Sequence, residues 1–278
     1  MPGAAADRAA VYGAQPEIRM LTISPDGATA AWRKTTAETD AIIVYSLADK
    51  RPLGGVSLDG AVNPSRLQWA TNDKLILVMS EHGRLAGFIG KYDVSSAWVY
   101  DPGTSRIKPL LVPGETVYRG QTGLGNVVGV SPDGKYAYMP AFFGDGLGTG
   151  PRYSLMRISL ANPIRPRLSF TGKPRSADYL LDADGKALVH EYFDDNGERH
   201  VIAARRGKEW KEIYALDSRL PEIAMVGLTR DYGAVVVSRY DEDSRRRSYY
   251  TMSLDDGEIT GRLFGRDDAD VGSVLTDI

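Results

Sequence analysis

The side chains most able to do chemistry in this sequence are few. There are three histidines, His82, His190 and His200, and no cysteine. Imidazole titrates near neutral pH, so each histidine is a candidate acid, base or metal ligand. His190 and His200 fall on predicted neighbouring strands of one hairpin and could face each other, but no third ligand is spaced for zinc. His82 follows Glu81 in a predicted loop, where a general base is conceivable. Carboxylates cluster at Asp194-Asp195, Asp241-Glu242-Asp243 and Asp267-Asp268. Asp194-Asp-Asn-Gly197 reads as a hairpin turn through its Asn-Gly, and it lacks the ligand spacing of a calcium loop. Glycoside hydrolysis would need two inward carboxylates roughly 5–10 Å apart; these acidic residues sit on predicted loop tips instead.

Two motif imitations fail on context. Gly129-Val-Ser131-Pro-Asp133 lacks the second glycine of a hydrolase nucleophile elbow, and its serine sits in a hairpin turn. Gly123-Leu-Gly125-Asn-Val-Val-Gly129 has dinucleotide-loop spacing but precedes a strand, so no helix N-terminus would face a phosphate. No cofactor and no metal are implied, and no catalytic residue is assigned. What remains are two long loops between second and third strands, Glu81 to Asp93 and Ala141 to Pro151. Both mix aromatics, glycine and charge, the composition of a binding loop carried on a rigid scaffold. The candidate binding residues are Glu81, Arg84, Phe88, Tyr92, Phe142, Phe143 and Asp145.

The elements that must carry these loops are strands. Ser24-Pro-Asp-Gly27 and Ser131-Pro-Asp-Gly134 are identical and each links two short apolar strands. Proline presets φ for the turn, aspartate fits the third position and glycine takes the left-handed one that closes the hairpin. Weaker copies follow Trp69, Leu181 and Leu228, and a partial one ends the chain. Taken at positions 24, 70, 131, 182, 229 and 276, the repeats are spaced by 46, 61, 51, 47 and 47 residues. Four-stranded propeller blades run about 40–50 residues. The long spacing coincides with the long loops of the second repeat.

The predicted fold is therefore all-β: a β-propeller of five complete four-stranded blades plus the start of a sixth, in an incomplete ring. The expected blades cover 18–60, 64–112, 126–171, 177–216 and 222–265, with the next starting at 270–278 and an N-terminal segment at 1–17. Propellers dispose of sheet edges by closing. A chain stopping inside a blade reads as part of a longer protein, with a stand-alone five-bladed ring as the rival.

Composition narrows the function classes. The 278 residues carry 34 Lys plus Arg against 36 Asp plus Glu, which gives no basic footprint for nucleic acid. No apolar run is long enough to insert in a membrane as a helix. Without cysteine there is no thiolate chemistry. The start has no signal-peptide core, which leaves cytoplasm and periplasm both open. Oligomeric state is not encoded legibly.

Ile18-Arg-Met-Leu-Thr-Ile-Ser-Pro-Asp-Gly27, followed by Ala30-Ala-Trp32, resembles the opening blade of the prolyl oligopeptidase family of serine peptidases. Arg66-Leu-Gln-Trp-Ala-Thr-Asn-Asp-Lys-Leu75 is similar to that family's second-blade phrase, and Asp270 to Asp277 to the start of a later blade. The resemblance implies a seven-bladed N-terminal propeller that limits access to a C-terminal α/β-hydrolase domain. The serine, aspartate and histidine of that family lie in the hydrolase domain, and no position here matches them. On this expectation the chain is the non-catalytic propeller of a serine peptidase, with a peptide substrate or a hydrolase domain as partner. The alternative is a stand-alone propeller that binds a protein or peptide.

Overall fold

A computed structural model describes residues 16–58, 62–85, 87, 89–114, 117–124, 126–144, 150–163, 165–271, 274 and 276. The described residues contain no α-helix. They form five four-stranded antiparallel sheets, each a meander whose strands neighbour in chain order. The first holds β1 (Ile18–Ile23), β2 (Thr29–Thr35), β3 (Asp40–Ser46) and β4 (Arg51–Ser57). The second holds β5 (Val62–Thr71), β6 (Lys74–Gly83), β7 (Tyr92–Asp101) and β8 (Arg106–Leu111). The third holds β9 (Gly129–Val130), β10 (Tyr136–Phe143), β11 (Arg152–Ser159) and β12 (Arg167–Phe170). The fourth holds β13 (Ser176–Leu181), β14 (Ala187–Asp194), β15 (Arg199–Arg206) and β16 (Glu209–Asp217). The fifth holds β17 (Ile223–Leu228), β18 (Ala234–Asp241), β19 (Arg246–Ser253) and β20 (Ile259–Phe264). The predicted all-β fold and its five blades are thus present.

The chain divides into two compact units, Met1–Pro109 and Leu110–Ile278. In the first, Ala31, Ile42 and Val44 of one sheet pack against Leu67, Trp69, Leu75 and Leu77 of the next. In the second, one face of the fourth sheet packs Tyr179, Leu181 and Ala187 with Tyr138 and Leu155 of the third. Its other face packs Val189, Ile202, Ala204 and Ile213 with Val235, Val237 and Tyr250 of the fifth. Strand side chains alternate between faces, so each central strand serves two cores at once.

The repeated turn works through its side chains. Ser24, Ser131 and Thr229 each donate a hydroxyl hydrogen to an aspartate two residues on, at 2.6 Å. Each hydroxyl also accepts an N–H five residues on. The carboxylates of Asp26 and Asp231 are held below their ordinary pKa, first by that hydroxyl, and that of Asp133 is lowered to about 2. Gly27 and Gly134 take the predicted left-handed φ, 72° and 66°. In the fifth sheet Tyr232 occupies that position with φ 56°, a conformation that a side-chain-bearing residue adopts at some cost. In the second repeat the hydroxyl-to-aspartate pair is Thr71 to Asp73. The equivalent position is therefore 71, one residue beyond the predicted 70, because the hydroxyl rather than the apolar neighbour organises the turn. The predicted start of a sixth blade falls largely outside the described residues; the described Thr276 hydroxyl lies 3.4 Å from the Val226 carbonyl.

Candidate functional site

The predicted loops are shorter than the sequence suggested. Glu81 and His82 belong to β6 and pair with Val94 and Asp93 of β7, whose first residue is Tyr92. His82 Nδ1 lies 2.9 Å from Asp93 Oδ1 across this exposed ladder. The Tyr92 hydroxyl donates to the Ile89 carbonyl at 2.7 Å, closing the hairpin on itself. Arg84 sits just past the strand end, and Phe88 lies outside the described residues. Phe142 and Phe143 end β10 rather than sitting in a loop. Their backbone is stitched to the preceding segment: Tyr118 N–H donates to Phe142 O, and Phe142 N–H donates to the buried Gln121 Oε1 at 2.8 Å. Asp145 also lies outside the described residues. Backbone ladders continue regardless of side-chain character, so these strands run further than composition predicts.

The two strand histidines do not face each other. His190 lies opposite Ala203, while His200 lies opposite Phe193, so their side chains leave opposite faces of the fourth sheet. Toward the fifth sheet, fully buried His200 places Nε2 2.7 Å from Glu191 Oε1. Phe193 stacks on its ring at 5.0 Å and Tyr214 meets it edge-on. Its Nδ1 is buried without a hydrogen-bond partner among the described residues.

Toward the third sheet lies a cavity of about 150 Å³. Its origin is a matter of register. Tyr179, His190, Ala203 and Glu212 lie side by side across β13 to β16. Ala203 is small, so a gap opens above it between larger neighbours. Phe170 from the end of β12 and Trp210 of β16 wall that gap, their rings 5.1 Å apart. His190 meets both edge-on, at 5.3 Å and 6.0 Å. Tyr179 stacks flat on the far side of His190 at 4.8 Å and fixes its plane. Gly172, on the connection into β13, makes this approach possible: a Cβ there would stand 2.6 Å from the Tyr179 hydroxyl.

The rim is charged. Lys173 Nζ sits over the Tyr192 ring, 3.8 Å from its centroid, a favourable cation–π position. Glu212 accepts from Arg199 at 2.7 Å and from the Tyr192 hydroxyl at 3.2 Å. Arg199 first, then the Tyr192 hydroxyl and the Lys173 charge, holds the Glu212 carboxyl below its ordinary pKa despite partial burial. Burial raises the Tyr192 phenol. Burial and the nearby Lys173 charge push His190 down to about 3, so its imidazole is neutral at physiological pH. Nearby, Glu198, Arg199, Asp217, Ser218 and Arg219 line an open polar cleft of about 460 Å³ where Arg219 and Glu198 form an ion pair.

A serine beside a histidine invites comparison with a nucleophile and its base. Ser176 Oγ donates to the Lys173 carbonyl at 2.9 Å and lies 2.8 Å from His190 Nε2. The hydroxyl thus bridges the Lys173 carbonyl and the imidazole, and the same carbonyl also accepts the Ser176 N–H at 3.3 Å. An imidazole whose pKa is pushed down to about 3 is too weak a base to activate that serine. The contact is structural. Among the described residues no group of three or more His, Asp or Glu side chains is placed to hold a metal ion, and no helix is long and apolar enough to cross a membrane.

The cavity was not foreseen from the sequence. The available signal was the i, i+2 pair His190 and Tyr192, which alternation puts on one face. Phe170 and Trp210 come from other strands, and nothing local ties them to it.

No protein-family profile matches the chain, and no curated protein matches it in sequence. Solved structures do resemble it. An acylaminoacyl peptidase in complex with Z-Gly-Gly-Phe-chloromethyl ketone matches 95 % of this chain at 16 % identity and a TM-score of 0.57. Acylaminoacyl peptidase of Pyrococcus horikoshii matches 92 % at 17 % identity and 0.56. Oligogalacturonate lyase of Vibrio parahaemolyticus matches 88 % at 12 % identity and 0.57. The chain spans about two fifths of each peptidase, 41 %, and 64 % of the lyase. At such identities the likeness is one of fold, and the fold of this chain is the β-propeller that these peptidases carry.

Proposed function

We propose that this chain is the non-catalytic propeller portion of a prolyl-oligopeptidase-type serine peptidase, where it gates peptide access and docks a hydrolase domain. One observation carries the reading: nearly the whole chain superposes on two fifths of an acylaminoacyl peptidase. The Ser-Pro-Asp-Gly blade phrases, which resemble that family's opening blade, support it. Its partners would be a peptide substrate and the hydrolase domain.

The test uses the native protein. Material captured from source cells with an antibody to this chain is treated with a biotinylated fluorophosphonate, which labels activated serines. A labelled species larger than 30.3 kDa that yields peptides of this chain is the expected result. An unlabelled species of 30.3 kDa with no labelled companion would overturn the reading. The second reading, a stand-alone propeller that binds a protein or peptide, draws on the aromatic cavity of the fourth sheet, which needs no second domain to form.

A further inference from the structure

We infer that the cavity between the third and fourth sheets is a binding site for a small ring-bearing carboxylate, with the ring among Phe170, His190 and Trp210 and the carboxylate on Lys173. The site lies wholly within residues 170–212, so it stands independently of any partner domain.

Size comes first. A cavity of about 150 Å³ has room for a benzene ring, and this one offers that volume behind a charged mouth. Shape comes second. Phe170, His190 and Trp210 meet at tilted or edge-on angles, 49°, 76° and 76°. They form the walls of a corner rather than a closed stack, and a flat or puckered ring seated there meets faces and edges together. His190 is neutral, and its Nε2 is already engaged by Ser176, so it contributes a ring and no charge.

Charge decides the ligand's sign. The rim carries Lys173, Arg199 and Glu212. Arg199 is committed to Glu212 through two nitrogens, at 2.7 and 3.3 Å, and Tyr192 donates to the same carboxylate. The acid is thus neutralised within the rim, and Lys173 leaves a surplus positive charge at the mouth. Its ammonium lies over an aromatic face with its residue exposed to solvent. A cationic ligand would meet Lys173 already on the Tyr192 face; an anion would gain a charge-assisted hydrogen bond from it.

A ring with a carboxylate occurs both as a free acid and as the C-terminal residue of a peptide. Ligand-observed NMR and Trp fluorescence on the intact chain distinguish them. The probes are 3-phenylpropionate, its amide, benzyltrimethylammonium as a cationic ring, and tetrapeptides ending in phenylalanine as free acid or amide. We expect saturable binding of an acid and about tenfold weaker binding of its amide, since a hydrogen bond to a charged group contributes about 1.5–3 kcal/mol. Lys173→Gln should bring acid down to amide, and Ala203→Leu should abolish binding of both while the thermal melt stays near that of the parent. Tighter binding of the peptide acid marks a peptide terminus as the source; binding of the free acid alone marks a small metabolite. Equal binding of acid and amide, retained binding in Ala203→Leu, tighter binding of benzyltrimethylammonium, or no binding by any probe would overturn the inference.

Discussion

The two faces of the fourth sheet use the same residue type in opposite ways. Toward the fifth sheet, His200 is fully buried, paired with Glu191 and stacked on Phe193. Toward the third, His190 stacks on Tyr179, contacts the Ser176 hydroxyl and borders empty volume. Both residues belong to one hairpin, β14–β15. The difference lies in what alternation places beside them. Val189, Ile202 and Ala204 fill the first face, whereas Ala203 leaves room on the second. Packing rather than the histidine decides which face is solid and which can receive a ligand.

The largest expected effect breaks the solid face. Ile202 has no exposed surface and touches the core shared with the fifth sheet. Ile202→Ala should cost about 2–5 kcal/mol, the lost transfer energy plus an unfilled cavity. It would appear in urea unfolding as a lower midpoint at unchanged slope. A loss below 1 kcal/mol, taken at the order of magnitude of a single methylene, would mean that this face is not close-packed.

A second prediction sharpens the contrast by pH. His190 falls from its ordinary 6.5 to about 3 in the fold, through burial and the Lys173 charge. Between those values the unfolded chain binds a proton that the folded chain refuses. Stability is therefore full above about pH 6.5 and declines as pH falls toward 3. The shift corresponds to a few kcal/mol. The polar and charged groups around this ring are Lys173, Ser176, Tyr179, Tyr192 and, on the rim of the same cavity, Glu212. Carboxylates elsewhere add their own slope, so the readout is a difference: His190→Phe should be less acid-sensitive than the parent between pH 7 and 4. Parallel curves for the two proteins would refute a neutral, buried His190.

A third, smaller effect tests what fixes the imidazole plane. The Tyr179 hydroxyl donates to the Tyr153 carbonyl at 2.6 Å, and its ring stacks flat on His190. Tyr179→Phe keeps the stack and deletes the bond, so it should cost about 1 kcal/mol and leave the NMR shifts of His190 nearly unchanged. Large shifts at His190 would show that the hydroxyl, not the stack, positions it.

Much of this architecture is legible in the sequence because it is local. A hydroxyl, proline, aspartate and glycine within four residues specify a turn by their own hydrogen bonds, and Ser24 and Ser131 make the same set. Alternation then gives the strands. The same logic misplaces strand ends: Glu81 and His82 are polar, yet they pair through backbone with Val94 and Asp93. The cavity was illegible for a deeper reason. Phe170 and Trp210 lie 40 positions apart (210 − 170) on different sheets. Alternation tells which residues share a face but not which of two filled-looking faces contains a gap. That gap follows from one alanine at one register position, and an alanine in a strand carries no signal of its own.

The smallest expected effect is therefore the most informative. Ala203 is buried, yet the volume above it is unfilled. In a close-packed interior, three added carbons would force off-rotamer side chains and cost about 1–3 kcal/mol or more. Here they enter existing space and bury apolar surface that gains about 0.8 kcal/mol per methylene, against the ordering of one leucine side chain, about 0.5–1 kcal/mol. Ala203→Leu should leave stability within about 1 kcal/mol of the parent. The neighbouring Ala204, on the solid face with Ile202 and Val189, is the internal control: Ala204→Leu should be destabilising by about 1–3 kcal/mol or more. Two adjacent alanines on one strand would then respond differently to the same substitution, one tolerating it and the other not, as a sheet with one packed and one hollow face requires.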